Sequence, residues 1–519
     1  MNFKKLIKNS LIVGLFSLTA IISCNDNSPV TPNANKPPNT FISLFPDSTI
    51  AQQKSQLPVH WWSNDPDGFV TGYYFKWAGL DNSWSFTVNN DSTFSLPIGT
   101  TDTTYVFKIM AVDNSGNGKY DTSVLRNNIQ LGAEPFIDEN GNGVYDDGEV
   151  FYDIGDVDPT PAELKFPIKN SAPVVEWNKE SVLPLQSFPV ITVGWDASDL
   201  DGDNTIVNIN IALNDTTSFV SLPGNVRIVT LKVADLTSAS PEMEILINGN
   251  ENDIFSSRLS NLKLNDNNRI FIQAVDISGA SLPFVALPDT TRNWFVKKPK
   301  GDIIIFDDFT GGSSTADFYT DKFNTIFGGS LSGKYDVFNL EDESLPYPNI
   351  TMLQTLKLFD FCFWYSDNTP SLDLASVVTQ SYVNDGGKIA FSMTFVDSSA
   401  NFDFSVPLLQ NFLPITNIKS KPLSFMFPGA KVVRSDSSNG FPELTTASTI
   451  GFVRDLVPNE NLSRKIYELD SPQIQGNIAF IDATNSIFFI GLPLDQSEGT
   501  PGTITTLIEK IMQELGIAP

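Results

Sequence analysis

Two stretches decide the fold: Trp62-Ser-Asn-Asp65-Pro-Asp67-Gly68 and Tyr105-Val-Phe-Lys-Ile-Met-Ala111-Val112-Asp113-Asn-Ser-Gly116. The second runs apolar and aromatic residues into an Asn/Ser/Gly turn, which reads as a strand and its end. The first joins one aromatic strand, Leu57-Pro-Val-His-Trp-Trp62, to another, Val70 to Trp77, through residues that favour turns. Both signatures return downstream. Trp195-Asp-Ala-Ser-Asp199-Leu-Asp201-Gly202-Asp203 echoes the acidic turn, and Phe271-Ile-Gln-Ala274-Val275-Asp276-Ile-Ser-Gly279 echoes the late strand. Asp65 and Asp113 are 48 positions apart and Asp199 and Asp276 are 77 apart, so the second copy carries an insertion in its middle. Ordered recurrence predicts two all-β sandwiches, over 37–128 and 173–297.

The chain has 519 residues, more than two such modules need. Its formal charge is −27, from 33 Lys+Arg against 60 Asp+Glu. Such a surface repels nucleic-acid phosphates and anionic lipid headgroups, and divalent cations are its natural counterparts. The only cysteines are Cys24 and Cys362 and the only histidine is His60, which excludes zinc sites built on those residues.

Lys4, Lys5 and Lys8 precede an apolar run from Leu11 to Ile22 that is too short for a comfortable membrane span. The run ends in Ile21-Ile22-Ser23-Cys24. This junction resembles the lipobox of bacterial lipoproteins, with Ile21 where Leu is preferred. The resemblance implies that 1–23 is a signal peptide and that Cys24 carries the lipid. It implies a protein held in the cell envelope at the outer membrane, on its periplasmic face or the cell surface. Residues 24–36 are polar and Pro-rich and read as a tether. The first sandwich also resembles a fibronectin type III-like, Ig-like module, on the acidic turn, Gly72-Tyr73, Trp84 and the Tyr105–Gly116 stretch. The second copy shares that framework.

Between the modules, residues 129–172 read as an acidic linker. Within it, Asp138-Glu-Asn140-Gly-Asn142-Gly143-Val144-Tyr-Asp146-Asp-Gly-Glu149 fits the calcium-loop pattern D-x-[DN]-x-[DN]-G-x5-E throughout. Ca²⁺ takes six to eight oxygens. Asp138, Asn140 and Asn142 supply side-chain oxygens, Val144 a backbone carbonyl, Asp146 a direct or water-mediated contact, and Glu149 a bidentate closure. Gly143 takes the sharp turn. The flanks are not amphipathic helices, so the loop is similar to the EF-hand-like, isolated loops of dockerin-type and thrombospondin-repeat-type proteins. Asp153, Asp156 and Asp158 continue the acidic run and are candidates for a second shell or site. A solvated Asp/Asn/Gly segment is the plain alternative. The acidic turns at Asp65/Asp67 and Asp199/Asp201/Asp203 are read as turns rather than calcium sites. Trp61, Trp62, Trp77 and Trp84 are read as core more readily than as a sugar-stacking platform.

From 300 to 519 the pattern changes. Asp302-Ile-Ile-Ile-Phe306, Tyr335-Asp-Val-Phe338, Phe359 to Tyr365 and Lys388-Ile-Ala-Phe391 are strands, with helical stretches at Ala316 to Phe327 and Leu372 to Val383. Alternation of this kind predicts a parallel α/β sheet. Ile303-Ile-Ile-Phe-Asp307-Asp308, Tyr335-Asp336, Phe359 through Asp367 and Tyr382-Val-Asn-Asp-Gly386-Gly387-Lys388 resemble the flavodoxin-like, three-layer core of class I glutamine amidotransferase-like domains. That family needs a cysteine nucleophile after a strand and a histidine base. Here the position reads Ser392-Met393, no histidine follows, and Cys362 lies in an apolar strand. No catalytic residue is assigned. Thr310-Gly-Gly-Ser-Ser-Thr315 is a weak phosphate-loop candidate, and Asp307, Asp308 and Asp367 are strand-end acids able to share Mg²⁺. The expectation is a lipid-anchored envelope protein that binds or scaffolds, with a glycan or protein partner. The alternative is an envelope hydrolase or glycan-processing enzyme using those carboxylates.

Overall fold

The computed structural model describes residues 34–43, 56–97, 103–168, 170–289, 291–311, 314–341, 343–395, 405–419, 425–451, 453–470 and 475–517. The signal stretch and Cys24 lie outside the described residues. The chain divides into two compact units, 1–169 and 170–519, and it is mostly β.

In the first unit, strands Asn39–Ser43, Gln56–Asn64 and Asp91–Ser95 form one antiparallel sheet. Ser85–Thr87, Val70–Ala78, Thr103–Asp113 and Ala162–Ile168 form the other. Strand alternation sends Leu57, Val59 and Trp61 inward, where they meet Trp77, Phe107 and Phe166 from the facing sheet. Ala162–Ile168 pairs with Thr103–Ile109, so it is a strand of this sandwich. The expected linker over 129–172 is therefore corrected: most of it is an excursion between two adjacent strands of the first unit. The excursion carries its own small core, in which Val124, Leu131, Ile154 and Val157 pack on Tyr74, Met110 and Val112. Sequence reading missed this because the closing strand lies about 50 residues beyond its partner, with turn-rich sequence between them.

The second unit opens with a larger sandwich. Val174–Trp177, Val190–Ser198, Ile228–Val233 and Met243–Ile247 form one sheet. Phe219–Pro223, Ile206–Leu213, Ile270–Asp276 and Val285–Leu287 form the other. The extra length between Asp199 and Asp276 is spent on the Met243–Ile247 strand and the segment that returns to Ile270.

Beyond it lies a nine-stranded sheet. Tyr335–Asn339, Ile303–Asp308, Phe361–Ser366, Lys388–Ser392 and Ile487–Ile490 run parallel in that order. Antiparallel strands Gln475–Asp482, Ser463–Asp470, Lys431–Arg434 and Leu444–Thr445 extend it. Ile303–Asp308 and Phe361–Ser366 are buried along their whole length, which is why both read as continuous apolar runs. Their side chains alternate between two faces. Ile303, Ile305, Phe361 and Phe363 share a core with helices Ser314–Gly329 and Thr503–Glu514. Ile304, Phe306, Cys362 and Trp364 share the opposite core with Pro348–Leu356, Leu372–Asn384 and Ser405–Phe412.

This sheet is not a free-standing body. Phe188 of the sandwich stacks edge-on against Phe359 and belongs to the second of those cores. Thr351 donates to Thr192 at 2.8 Å, Asn178 donates to the Tyr347 hydroxyl at 2.6 Å, and buried Glu343 accepts from Lys297 at 2.9 Å. The boundary expected at 297–300 thus falls inside one compact unit.

Candidate functional site

The calcium-loop sequence is held at its base by aromatics. Phe136 and Phe151 form an antiparallel bridge, and Ile137 N–H donates to the Val150 carbonyl at 2.8 Å. Tyr145, from within the loop, stacks on Tyr120 at 3.8 Å and 11°, and Phe136 and Phe151 set their edges against that pair. Beneath the loop, buried Glu134 accepts from Asp121 N–H and Ile154 N–H, both at 2.8 Å. Burial pushes the Glu134 carboxyl above its ordinary range despite those bonds. Neither Tyr120 nor Glu134 was legible as part of the site, because both act from outside the motif.

Inside the loop the side chains bond to one another and to the loop's own backbone. Asp138 Oδ1 accepts from Gly141 N–H at 2.6 Å and Asn142 N–H at 3.2 Å, and Oδ2 accepts from Gly143 N–H at 2.7 Å. The Gly143 N–H is the main cause of an Asp138 carboxyl held below its ordinary range. Gly141 and Gly143 have φ of 72° and 74°, left-handed values that cost glycine little. Glu149 reaches back to accept from Glu139 N–H at 3.1 Å and Asp146 N–H at 3.0 Å. Asn140 and Asn142 both donate to Asp146 Oδ2 at 2.7 Å, so three side chains meet at one oxygen.

The carboxylates alone do not make a metal cluster. Among the described residues no group of three or more His, Cys, Asp or Glu side chains is arranged to hold an ion. A shell here needs the two asparagines, whose amides can present oxygen instead of nitrogen to the centre by a half turn. Asn140 Oδ1 now accepts from Asn142 N–H at 3.0 Å and Asn142 Oδ1 from Val144 N–H at 2.7 Å, so a Ca²⁺ shell using both amides beside Asp138, Asp146 and Glu149 would exchange those bonds for the ion.

The neighbouring acids do other work. Asp153 accepts from Asn117 and Gly118 N–H at 3.0 and 2.7 Å. Asp158 accepts from Thr40 N–H at 2.7 Å and Thr160 N–H at 2.8 Å. Asp156 accepts from Asn35 at 3.0 Å. All three tie down backbone or side chains away from the loop's centre.

The two acidic turns perform one shared task. Asp67 N–H donates to Asp65 at 3.2 Å, and Asp201 N–H to Asp199 at 2.9 Å. Lys36 N–H donates to Asp67 at 3.2 Å, and Ser171 N–H to Asp201 at 2.7 Å. Asn35 donates to Asp113 at 2.7 Å and Ser115 at 3.1 Å; Asn170 donates to Asp276 at 2.5 Å and Ser278 at 2.7 Å. Each turn therefore staples the entering chain to the end of the late strand. Asn35 and Asn170 stand at nearly the same distance before Asp65 and Asp199, a signal that could have revealed them.

At the ends of the parallel strands the acids are separately occupied. Asp308 accepts from Trp364 Nε1 at 3.0 Å, Ser371 N–H at 2.8 Å and Ser371 Oγ at 2.7 Å. Burial nonetheless raises its carboxyl above the ordinary value. Asp307 accepts from Asn339 at 3.0 Å and Phe309 N–H at 3.1 Å. Asp367 accepts from Thr310 and from Thr369; burial opposes its charge, but these bonds hold the carboxyl below its ordinary value. The three carboxylates do not converge as a Mg²⁺ site would require. The Thr310–Thr315 stretch meets carboxylates too: Thr310 N–H donates to Asp367 at 3.1 Å and Thr315 Oγ1 to Asp495 at 3.3 Å. A phosphate would have to displace negative groups there.

Ser392 is buried, donates to the Leu492 carbonyl at 2.9 Å and lies 3.3 Å from the Tyr319 hydroxyl. Neither partner is a base, since burial drives the Tyr319 pKa well up. Cys362 is fully buried, and burial likewise drives its thiol far from the thiolate.

No family model matches the chain, and no curated protein matches it. Matching solved structures include two of low identity. The fibronectin(III)-like modules of Clostridium thermocellum CbhA are 12% identical, with 50% of this chain and 94% of that chain covered and a TM-score of 0.16. Purple acid phosphatase PPD1 from seeds of yellow lupin, Lupinus luteus, is 10% identical, with 68% and 57% covered and a TM-score of 0.16. TM-scores this low carry no argument about fold or function. Among the described residues no helix is long and apolar enough to cross a membrane.

Taken chemically, the loop gathers carboxylates and two amides whose hydrogen bonds are all made within the loop. The strand ends offer carboxylates and hydroxyls already committed to their neighbours.

Proposed function

We propose that this chain is a lipid-anchored protein of the bacterial envelope, attached to the outer membrane through Cys24, that binds or scaffolds. Its sandwiches are fibronectin type III-like, and its C-terminal sheet is a flavodoxin-like, amidotransferase-like layer kept for structure. Ca²⁺ binds at Asp138, Asn140, Asn142, Val144, Asp146 and Glu149. The carrying observation is the meeting of Asn140, Asn142 and Asp146 at one oxygen inside a loop closed by Glu149. Bound there, the ion organises the excursion of the first unit.

Support for a non-catalytic C-terminal layer is the commitment of Asp308, Ser392 and Cys362 to packing and structural hydrogen bonds. An envelope hydrolase working through strand-end carboxylates remains the rival reading. Two measurements on the full chain decide the proposal. Clickable fatty acid should label wild type and fail to label Cys24→Ala. Calorimetry should give a calcium heat that disappears in Asp138→Ala/Glu149→Ala. Lipid on the Cys24→Ala variant, or equal heats in the two proteins, would overturn the matching half.

A further inference from the structure

The sheet Asn39–Ser43, Gln56–Asn64 and Asp91–Ser95 turns one face to its core and the other to solvent, and the tryptophan pair shows the division. Trp61 points inward, is 2% exposed, and donates from Nε1 to the Asn89 carbonyl at 2.9 Å. Its neighbour Trp62 points outward and is 49% exposed. Across the ladder Trp62 is paired with Phe41, which is 43% exposed. The two rings stack at 5.5 Å and 21°. Trp77 is buried in the core and Trp84 is partly covered beneath Lys76, so of the four candidate tryptophans only Trp62 presents an open ring.

The rest of the outward face is polar and ordered by register. Asn39 pairs with Asn64 on one side of the aromatic couple. On the other side Ser43 pairs with His60, which pairs with Asp91, and His60 Nδ1 lies 3.6 Å from Asp91 Oδ2. Successive layers on one face are about 7 Å apart. The stacked pair is thus flanked in the adjacent layers, on its two sides, by amides on one and by a hydroxyl, an imidazole and a carboxylate on the other. We infer that this face binds a neutral polysaccharide, with the ring faces of its sugars on Trp62 and Phe41 and their hydroxyls on Asn39, Asn64, His60 and Asp91.

The chemistry selects this occupant. The C–H face of a pyranose is apolar and meets the negative face of an aromatic ring favourably. The outward positions beside the pair are polar apart from Pro58, so the couple is a small apolar island among groups able to exchange hydrogen bonds with hydroxyls. Charge excludes anionic polymers and lipid headgroups: these three strands contain no Lys or Arg, Asp91 stands on the face, and the chain carries −27. A flat, neutral, hydroxyl-rich chain is what complements such a surface.

The inference rests on the binding role proposed above but uses a different surface, so it can fail while lipidation and calcium binding stand. The test is co-sedimentation of the full chain in detergent with insoluble cellulose, chitin, mannan and a β-1,3-glucan, with calcium alginate beads as the anionic control. Wild type should deplete from solution with at least one neutral polysaccharide and not with alginate. Trp62→Ala and Phe41→Ala should each lower the partition coefficient by about ten-fold. Trp62→Tyr should retain most of it, and unchanged thermal unfolding of the exposed-site variants keeps the comparison to binding. Absence of binding to all four neutral polymers, retention on alginate instead, or equal binding by Trp62→Ala would overturn the inference.

Discussion

The Asp138–Glu149 loop and the strand ends around Asp307, Asp308 and Asp367 are both acid-rich, and they use their carboxylates in opposite ways. In the loop, donors to the carboxylates come from within the same twelve residues, and the side chains gather on Asp146. At the strand ends each acid also draws donors from afar, Trp364 and Ser371 for Asp308, Asn339 for Asp307 and Thr310 for Asp367, with Phe309 N–H and Thr369 as the local donors. A carboxylate satisfied by donors from distant elements is a structural fastener. One satisfied within its own loop can exchange those bonds for an ion.

The same contrast explains what could be read in advance. Spacing fixed by a local turn is visible in sequence, so the set Asp138, Asn140, Asn142, Asp146 and Glu149 was legible. The repeat signatures were legible because strand period and turn chemistry are local as well. The pairing of Ala162–Ile168 with Thr103–Ile109 was not, since an insertion hides a long-range register. Nor were the occupants of Asp307 and Asp308, because nothing about an acid at a strand end says which neighbouring strand or helix will donate to it. Phe41 escaped notice for a related reason: its value lies in the cross-strand partner Trp62.

The largest expected effect that would sharpen this comparison is at Asp308. Asp308→Ala leaves Trp364 Nε1 and Ser371 N–H without acceptors in a buried setting, which should cost about 2–4 kcal/mol. Thermal or urea unfolding of the full chain, followed by tryptophan fluorescence, reads this directly. A cost near zero would mean that Asp308 is not a fastener and would reopen a catalytic role. Its pH dependence has a definite sign. The folded carboxyl sits above its ordinary value, so the folded state holds the proton more tightly than the unfolded one. Stability from this group is therefore lost as pH rises from the ordinary carboxylate range through the raised value. The difference between wild type and Asp308→Asn should show that falling slope, and a rising one would contradict the assignment.

The loop should respond to calcium by a smaller amount. Extracellular-type loops bind at about 10⁻⁴–10⁻³ M. Calcium at ten times the dissociation constant stabilises the first unit by about 1.4 kcal/mol. Removing it with a chelator should lower the first unit's melting temperature and leave the second unit's unchanged. Asp138→Ala/Glu149→Ala should abolish the response. A calcium response that survived in Asp138→Ala/Glu149→Ala and disappeared in Asp308→Ala would invert the comparison.

The smallest effect is expected at Ser392, and its argument draws on Cys362 as well. Ser392→Ala removes one hydrogen bond to the Leu492 carbonyl and a long contact to Tyr319, an exchange worth about 1 kcal/mol. The variant should fold, keep calcium binding, and lose a little stability. Cys362 should resist thiol reagents in the folded chain and react fully once denatured, since burial suppresses both its thiolate and access to it. If these side chains were nucleophiles, serine- and thiol-directed probes would label them stoichiometrically in the native protein, and Ser392→Ala or Cys362→Ala would erase a turnover. Native labelling at either position would show that a base absent from their present hydrogen bonds reaches the strand ends. The fastener reading of that region would then fall, and the carboxylates near Asp307 would become the first place to seek the base.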